Sequence, residues 1–372
     1  MSGNFREVRL SKCSVSSEEK AAVARVLDSE YLGMGGEVKN FENEIQNFLE
    51  TKRSVVCVNT GTSALHLSLM GLDIGPGDEV LVPSITYVAS FQAITATGAK
   101  AVACDVIYPS GLIDLEDARK RVNSKTKAIM PVHYASQTQG IEEVYSFAKE
   151  FNLRVVEDAA HAFGNRHEGK RVGSFGDIQC FSFDGIKNIT SGEGGAIVSG
   201  DLAFIQRVQD ARLLGVEKDT EKRFSKSRSW VFNVKHQGFR FHMSDILAAI
   251  GREQLKKIEK FSQKRRSSAL RYRDLLQGVA GIELINSDFE NIVPHVFVVL
   301  VKNRDQLVVA LKEKGIATGI HYYPNHLLDF FKTDYELNNA ERFARECLTL
   351  PLHVDLSDDD ISYVCSELKS LI

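Results

Sequence analysis

Lys187 stands between a short apolar run, Ile178–Phe183, and the glycine-rich turn Gly192-Glu193-Gly194-Gly195. A lysine amine held partly out of water in such a place can lose its proton near neutral pH and attack a carbonyl to form a Schiff base. Alone it is an ordinary surface lysine behind a buried strand, so its meaning depends on partners elsewhere. Four further groups of residues sit where apolar runs end, which is where open α/β sheets build their sites. Asn59-Thr60-Gly61-Thr62-Ser63 opens a helix. Gly61 lets backbone approach a ligand, while Thr62 and Ser63 offer hydroxyls and helix-start amides, suited to a phosphate or to a plain N-cap. Tyr87, in Pro83-Ser84-Ile85-Thr86-Tyr87, can lie on a flat heteroaromatic ring or pack in the core.

The run Val155-Val156-Glu157-Asp158 ends in two carboxylates, with His161 three residues on. A carboxylate there can bind a metal, pair with a protonated ring nitrogen or cap a helix. No second His or Cys cluster lies at ligand spacing, so no metal is expected. In Gly238-Phe239-Arg240-Phe241-His242, Arg240 or His242 can reach an anion or remain solvated. Taken together around Lys187, these features describe one ligand: a phosphate at a helix start, a stacked ring, an aspartate at a ring nitrogen and a lysine imine. That ligand is pyridoxal 5′-phosphate, whose chemistry needs a pyridinium partner and a Schiff-base lysine.

The elements that must hold these residues follow from periodicity. Ser17–Ser29 and Val38–Glu50 have helical spacing. Apolar strand-like runs (Val55–Val58, Glu79–Val82, Ala101–Asp105, Ala128–Val132, Arg154–Glu157) then alternate with helical segments (Ser63–Gly71, Ala89–Thr97, Leu115–Val122, Ile141–Phe151). This βαβα order, with strands too apolar to face water, predicts a largely parallel sheet covered by helices on both faces. Ile178–Phe183 and Gly195–Val198 are expected to form a hairpin-like return around Lys187. Glu217–Ser229 is polar and aperiodic, expected as a surface loop or a flap. One long helix is expected over Ser244–Leu275, then an extended His295–Val301 and helices at Arg304–Lys314 and Ile361–Leu371. The domain boundary is placed near Phe261, giving a large domain over 1–260 and a smaller α+β domain over 261–372.

At 372 residues the chain suits about two domains. Its formal net charge of −3 supplies no electrostatic argument for nucleic acid or an anionic membrane as a partner. The six cysteines are scattered with no C-x-x-C pair, which fits reduced thiols better than a disulfide frame. No apolar run approaches the ~20 residues needed to span a bilayer, and Met1–Glu7 lacks a leader's apolar stretch. A cytoplasmic protein is expected.

Gly61-Thr62-Ser63-Ala64-Leu65-His66-Leu67, Gly75-Pro76-Gly77-Asp78-Glu79-Val80, Glu157-Asp158-Ala159-Ala160-His161, the block from Phe181 through Lys187 to Gly195, and Leu350-Pro351-Leu352-His353 together resemble the DegT/DnrJ/EryC1/StrS sugar aminotransferases. The resemblance runs through most of the chain. It implies the fold-type-I architecture: an α/β large domain with a mostly parallel seven-stranded sheet between helices, and a smaller C-terminal domain. It also implies that Lys187 forms the Schiff base, Asp158 meets the pyridine nitrogen and His161 sits beside the ring hydroxyl. Thr62, Ser63 and Ser182 would hold the phosphate, and Tyr87 would stack. The family pattern further implies a homodimer with shared sites, Gly238–Met243 being the segment that crosses over. Relatives often carry asparagine where this chain has Arg240, whose fork suits the same phosphate or a substrate anion. The family's dehydratases replace the lysine by histidine, so Lys187 argues for the transaminases. The implied reaction moves an amino group from L-glutamate to a nucleotide-linked keto-deoxy sugar, for deoxyamino-sugar or surface-glycan synthesis. His321, Tyr322 and Tyr323 are candidate substrate contacts. The alternatives are a lysine enzyme of the same fold with another outcome, such as elimination or a non-sugar ketone, and a non-catalytic cofactor-binding regulator.

Overall fold

The computed structural model describes residues 6–227 and 230–372. Residues 1–5, within the stretch read for a leader, and 228–229, at the end of the polar stretch from Glu217, lie outside the described residues. Among the described residues a seven-stranded sheet runs in the order Ser54–Val58, Gly195–Ser199, Ile178–Ser182, Arg154–Asp158, Thr126–Ile129, Glu79–Pro83, Lys100–Cys104. Gly195–Ser199 is antiparallel to both its neighbours, and the other pairings are parallel. Six strands therefore point the same way and end at one edge. The return strand starts at that edge, which brings the turn carrying Lys187 there as well.

The sheet is apolar on both faces because helices cover both, as a buried parallel sheet requires. Val56, Val58, Cys180 and Ile197 face one core with Leu65, Leu69 and Phe204. Their neighbours Val55, Cys57, Phe181, Ala196 and Val198 face a second core with Phe41, Ile45 and Phe163. Successive residues thus serve opposite cores, the period of two that a strand imposes. The return strand packs so closely that Gly195 has no space for a side chain. A Cβ there would lie 2.5 Å from the Thr60 carbonyl oxygen and 2.9 Å from the Gly61 amide nitrogen.

A three-stranded antiparallel sheet, Glu283–Leu284, Phe297–Leu300 and Cys347–Leu350, lies in the C-terminal part. Tyr272, Leu276, Leu311, Ile361 and Leu368 pack with it from helices Ile258–Leu276, Arg304–Glu313 and Asp358–Leu371. The single helix expected over Ser244–Leu275 is two, Asp245–Lys256 and Ile258–Leu276. The break falls at Lys257, whose amide turns to the Gln254 carbonyl at 2.9 Å. Its amine reaches away to Glu19 at 2.6 Å and Ser16 at 2.5 Å. Phe261, the expected boundary, lies near the start of the second helix. The polar stretch from Glu217 is not wholly irregular, since Asp219–Phe224 is a short helix. Asp219 and Arg223 pair across its turn at 2.7 Å, and Thr220 is buried near Arg212. Among the described residues no helix is long and apolar enough to cross a membrane.

Gly195→Ala should destabilise the fold by about 1–3 kcal/mol, because backbone rather than a movable side chain blocks the added methyl. Urea unfolding measures this, and an unchanged midpoint would show that the strand and the helix start are not held this close.

Candidate active site

The strand ends enclose a cavity of about 580 Å³. At one wall, Ser54–Val58 passes through Asn59 and Thr60 into helix Gly61–Gly71. Thr60 is the N-cap: its Oγ1 accepts the Ser63 amide at 3.0 Å and lies 2.9 Å from Ser63 Oγ. Thr60, Gly61 and Thr62 line the cavity. The amides of Gly61 and Thr62, which the helix's own turns cannot use, are therefore at its wall. Ser63 is buried, its hydroxyl engaged by Thr60, and it does not line the cavity. Ser182, the last residue of its strand, closes on Gly61 from the opposite side. A Cβ on Gly61 would meet the Ser182 Cβ at 2.8 Å.

Asp158 is the last residue of Arg154–Asp158 and is buried. Its Oδ2 accepts the Ser90 hydroxyl at 2.7 Å and its Oδ1 the Ala160 amide at 3.2 Å. Its own amide and carbonyl are tied to the Pro131 carbonyl and the His133 amide at 2.9 and 3.1 Å. Behind it, Glu157 receives His133 Nε2 at 2.7 Å, the Tyr145 hydroxyl at 2.5 Å and the Gln179 amide. The His133 pKa is raised: burial works against the charged ring, but the bond and charge of Glu157 outweigh it.

Lys187 lies in the turn between the two antiparallel strands. The Phe183 amide donates to Gly194 and the Ser191 amide to Phe183, at 2.8 and 2.9 Å, closing the base of this turn. Asn188 donates to the Phe163 and Val293 carbonyls, both at 3.1 Å, so the lysine's neighbour is fastened to two other elements. Lys187 keeps some surface toward the open cavity, yet protein crowds its amine elsewhere. Burial lowers the amine pKa, and Asp158 and Asp184 oppose that shift without cancelling it.

His161 lines the cavity, and its Nε2 is 3.0 Å from the Tyr322 hydroxyl. Its Nδ1 is buried without a hydrogen-bond partner. Its ring lies 4.4 Å from that of His295, whose Nδ1 is also buried and unpartnered. Burial, and then the Lys187 charge, depress both histidines well below the usual range. The same two causes bring His321 to about 4. Burial raises the Tyr322 phenol, so it stays protonated. Tyr87 lines the mouth, 61% exposed, its ring centroid 5.9 Å from that of Tyr322.

The structure thus gathers Gly61, Thr62, Tyr87, Asp158, His161, Ser182, Lys187, His321 and Tyr322 around one cavity. Tyr323 is not among its walls and is 59% exposed. Arg240 is also exposed and lines a different, smaller recess with Arg223 and His242. The segment around it is pinned by backbone bonds: Phe239 to Ala211 at 2.6 Å, Phe241 to Arg212 at 3.1 Å and Asn59 to Phe241 at 2.7 Å. Thr60 was among the expected N-caps, whereas sequence reading gave no site role to Ser90, Asp184, Glu193 and His295. Of these, Ser90 had a signal, since Thr86 and Ser90 are four apart across a helix start. Among the described residues, the cavity walls hold three carboxylates, Asp158, Asp184 and Glu193, and Lys187 is their only lysine or arginine.

The cavity at the strand ends of this α/β sheet thus holds a lysine beside a buried aspartate. The chain belongs to the DegT/DnrJ/EryC1/StrS aminotransferase family, whose sequence profile it matches over residues 14–369. It is 33% identical to the dTDP-4-dehydro-2,3,6-trideoxy-D-glucose 4-aminotransferase of Saccharopolyspora spinosa, over 98% of this chain and 97% of that protein. Among solved structures it is similar to DesV of S. venezuelae, with 34% identity, TM-score 0.88 and coverage of 95% and 94% of the two chains. It is likewise similar to PseC of Helicobacter pylori, an aminotransferase involved in the biosynthesis of pseudoaminic acid, with 27% identity, TM-score 0.90 and coverage of 98% and 99%.

The three depressed histidines carry a pH consequence. The folded state binds fewer protons than the unfolded chain below the ordinary histidine pKa of about 6.5, so the stability they contribute is full above that value and is lost as pH falls toward 4. Burial lowers His66, His242, His326 and His353 as well, and His133, with its raised pKa, is the one histidine that contributes in the opposite sense. The urea midpoint at pH 5 should therefore lie below that at pH 7.5; equal midpoints would contradict the buried, neutral cluster.

Proposed function

We propose that this protein transfers an amino group from L-glutamate to the 3- or 4-ketone of a nucleotide-linked deoxy sugar, with pyridoxal 5′-phosphate as cofactor. The observation that carries the reading is the Lys187 amine, its pKa lowered by burial, in one cavity with the buried and hydrogen-bonded Asp158. Two features support a fit to the cofactor. Gly61 and Ser182 approach too closely for any side chain on Gly61, leaving backbone and hydroxyl to face a phosphate. His161, on the cavity wall, keeps a buried ring nitrogen unpartnered, which suits a polar group on the ligand. The relatives' names, which speak of a dTDP-linked keto sugar and of pseudoaminic acid biosynthesis, point to the sugar substrate.

When bound, the cofactor supplies an aldehyde that captures amines and a ring that accepts the electrons left when a proton leaves the substrate carbon. The chain's residues then divide the work. Lys187 would hold the cofactor through its amine, and the same amine would serve as the group that takes up and returns a proton at the substrate carbon. Asp158 would hold the proton on the cofactor's ring nitrogen. His161, its pKa depressed and its Nε2 bonded to Tyr322, would be a polar contact for the cofactor, and Tyr87 would be its aromatic contact at the cavity mouth. Thr62, Ser182 and the amides at Gly61 would hold the phosphate, with Ser63 acting through its bond to the Thr60 cap. His321 and Tyr322 meet the substrate, and Tyr323 is available to its outer part.

Glutamate and a nucleotide sugar both bring negative charge, and the cavity's own walls are rich in carboxylates. This charge mismatch favours a homodimer in which the partner subunit supplies cations, Arg240 foremost. The exposed Trp230, Val231, Phe232 and Val234 lie close before it in sequence and would be covered in such a pair.

Purified protein with added cofactor should release 2-oxoglutarate from glutamate when given keto sugars linked to dTDP, UDP or GDP. Lys187→Ala should bind cofactor without turnover. Transamination retained in that variant would sink the assignment of the lysine, and no release with any sugar would sink the substrate class.

A further inference from the structure

Asp158 is met by a buried chain of hydroxyls that begins at Thr86, in a turn clamped by the C-terminal part of the protein. Ser90 Oγ donates to Asp158 Oδ2 at 2.7 Å, and Thr86 Oγ1 lies 2.8 Å from Ser90 Oγ. Both hydroxyl residues are buried, Ser90 completely. An ionised carboxylate only accepts, so the single Ser90 proton is committed to Asp158. The proton between the two hydroxyls must then come from Thr86, which makes the order Thr86 to Ser90 to Asp158 one-directional. Such a chain polarises each bond along it.

Thr86 is itself held. The Asn325 side-chain amide donates to the Thr86 carbonyl at 2.8 Å and to the Ser84 carbonyl at 3.1 Å, and the Asn325 backbone amide to Ser84 at 3.0 Å. His326 Nδ1 shares a bond with Ser84 Oγ at 2.7 Å. Asn325 and His326 follow directly on His321 and Tyr322 through Pro324, so the stretch that lines the cavity also clamps the turn carrying Thr86 and Tyr87.

We propose that Ser90, backed by Thr86 and Asn325, is the positioning residue for Asp158. Ser90 and the Ala160 amide each occupy one carboxylate oxygen and fix the plane of the group, leaving the remaining lone pairs for the cofactor's ring nitrogen. Without Ser90 the carboxylate turns about its own bond, and the ring proton is held less firmly. This inference rests on the reading that Asp158 faces that nitrogen.

The test uses the cofactor-loaded enzyme and the variants Ser90→Ala, Thr86→Val and Asp158→Asn. Ser90→Ala should lower kcat about ten-fold, as expected for loss of one charge-assisted hydrogen bond, with KM for glutamate little changed. It should also move the pH midpoint of the enzyme's visible absorption upward and weaken cofactor binding measured by fluorescence titration. Thr86→Val, nearly equal in volume, should shift the same midpoint in the same direction by less. If Ser90→Ala lowers only the unfolding midpoint while kcat and the absorption midpoint hold, Ser90 is core packing and the proposal falls. If Asp158→Asn also leaves the absorption midpoint in place, the failure belongs to the reading of Asp158 itself.

Discussion

The close approach of Gly195 to the Thr60 carbonyl and of Gly61 to Ser182 is the contact on which the site depends. It lets the return strand Gly195–Ser199 slide between Ser54–Val58 and Ile178–Ser182 and pair with both. Because that strand runs against its neighbours, its start lies level with their ends. The turn bearing Lys187 is thereby set over the start of helix Gly61–Gly71 and beside the end of the strand bearing Asp158. A larger residue at either glycine would push the start of helix Gly61–Gly71 and the lysine apart.

Charge then decides what this geometry can do. The Lys187 amine is surrounded by protein that disfavours its proton, while Asp158 and Asp184 restrain the shift. The same amine, together with burial, keeps His161, His295 and His321 neutral, so the polar walls around the lysine carry little competing positive charge. A carboxylate-rich cavity with neutral imidazoles suits a cationic ring and a nucleophilic amine. It suits anionic substrates poorly, and that is why the exposed, arginine-bearing segment around Arg240 matters to the proposed assembly.

Much of the fold was legible because it depends on local pattern. The apolar runs of four or five residues between helical segments carried the parallel sheet. Glycines on both sides of Lys187 carried the return strand. Asp158 was visible as a polar residue at the end of an apolar strand, and Thr62 as a hydroxyl at the start of the helix that follows another. What was not legible comes from contacts distant in sequence. Ser90 matters only because Asp158 lies 2.7 Å away, and His295 only because folding sets it against His161. At the helix break, Lys257 reaches Ser16 and Glu19, contacts that no local pattern shows. Asp219–Phe224 was hidden because its six residues are too few to show a period. His321, Tyr322 and Tyr323 were candidates in the sequence, but nothing there shows that Asn325 ties the same stretch to the turn at Ser84 and Thr86.

The central claim, that Lys187 is the residue joined to the cofactor, is tested most directly by chemical trapping. The protein is incubated with pyridoxal 5′-phosphate, reduced with borohydride, digested and mapped by mass spectrometry. The account expects one modified peptide, carrying the label on Lys187 and absent from Lys187→Ala. A label spread over other lysines, or unchanged in that variant, would contradict it.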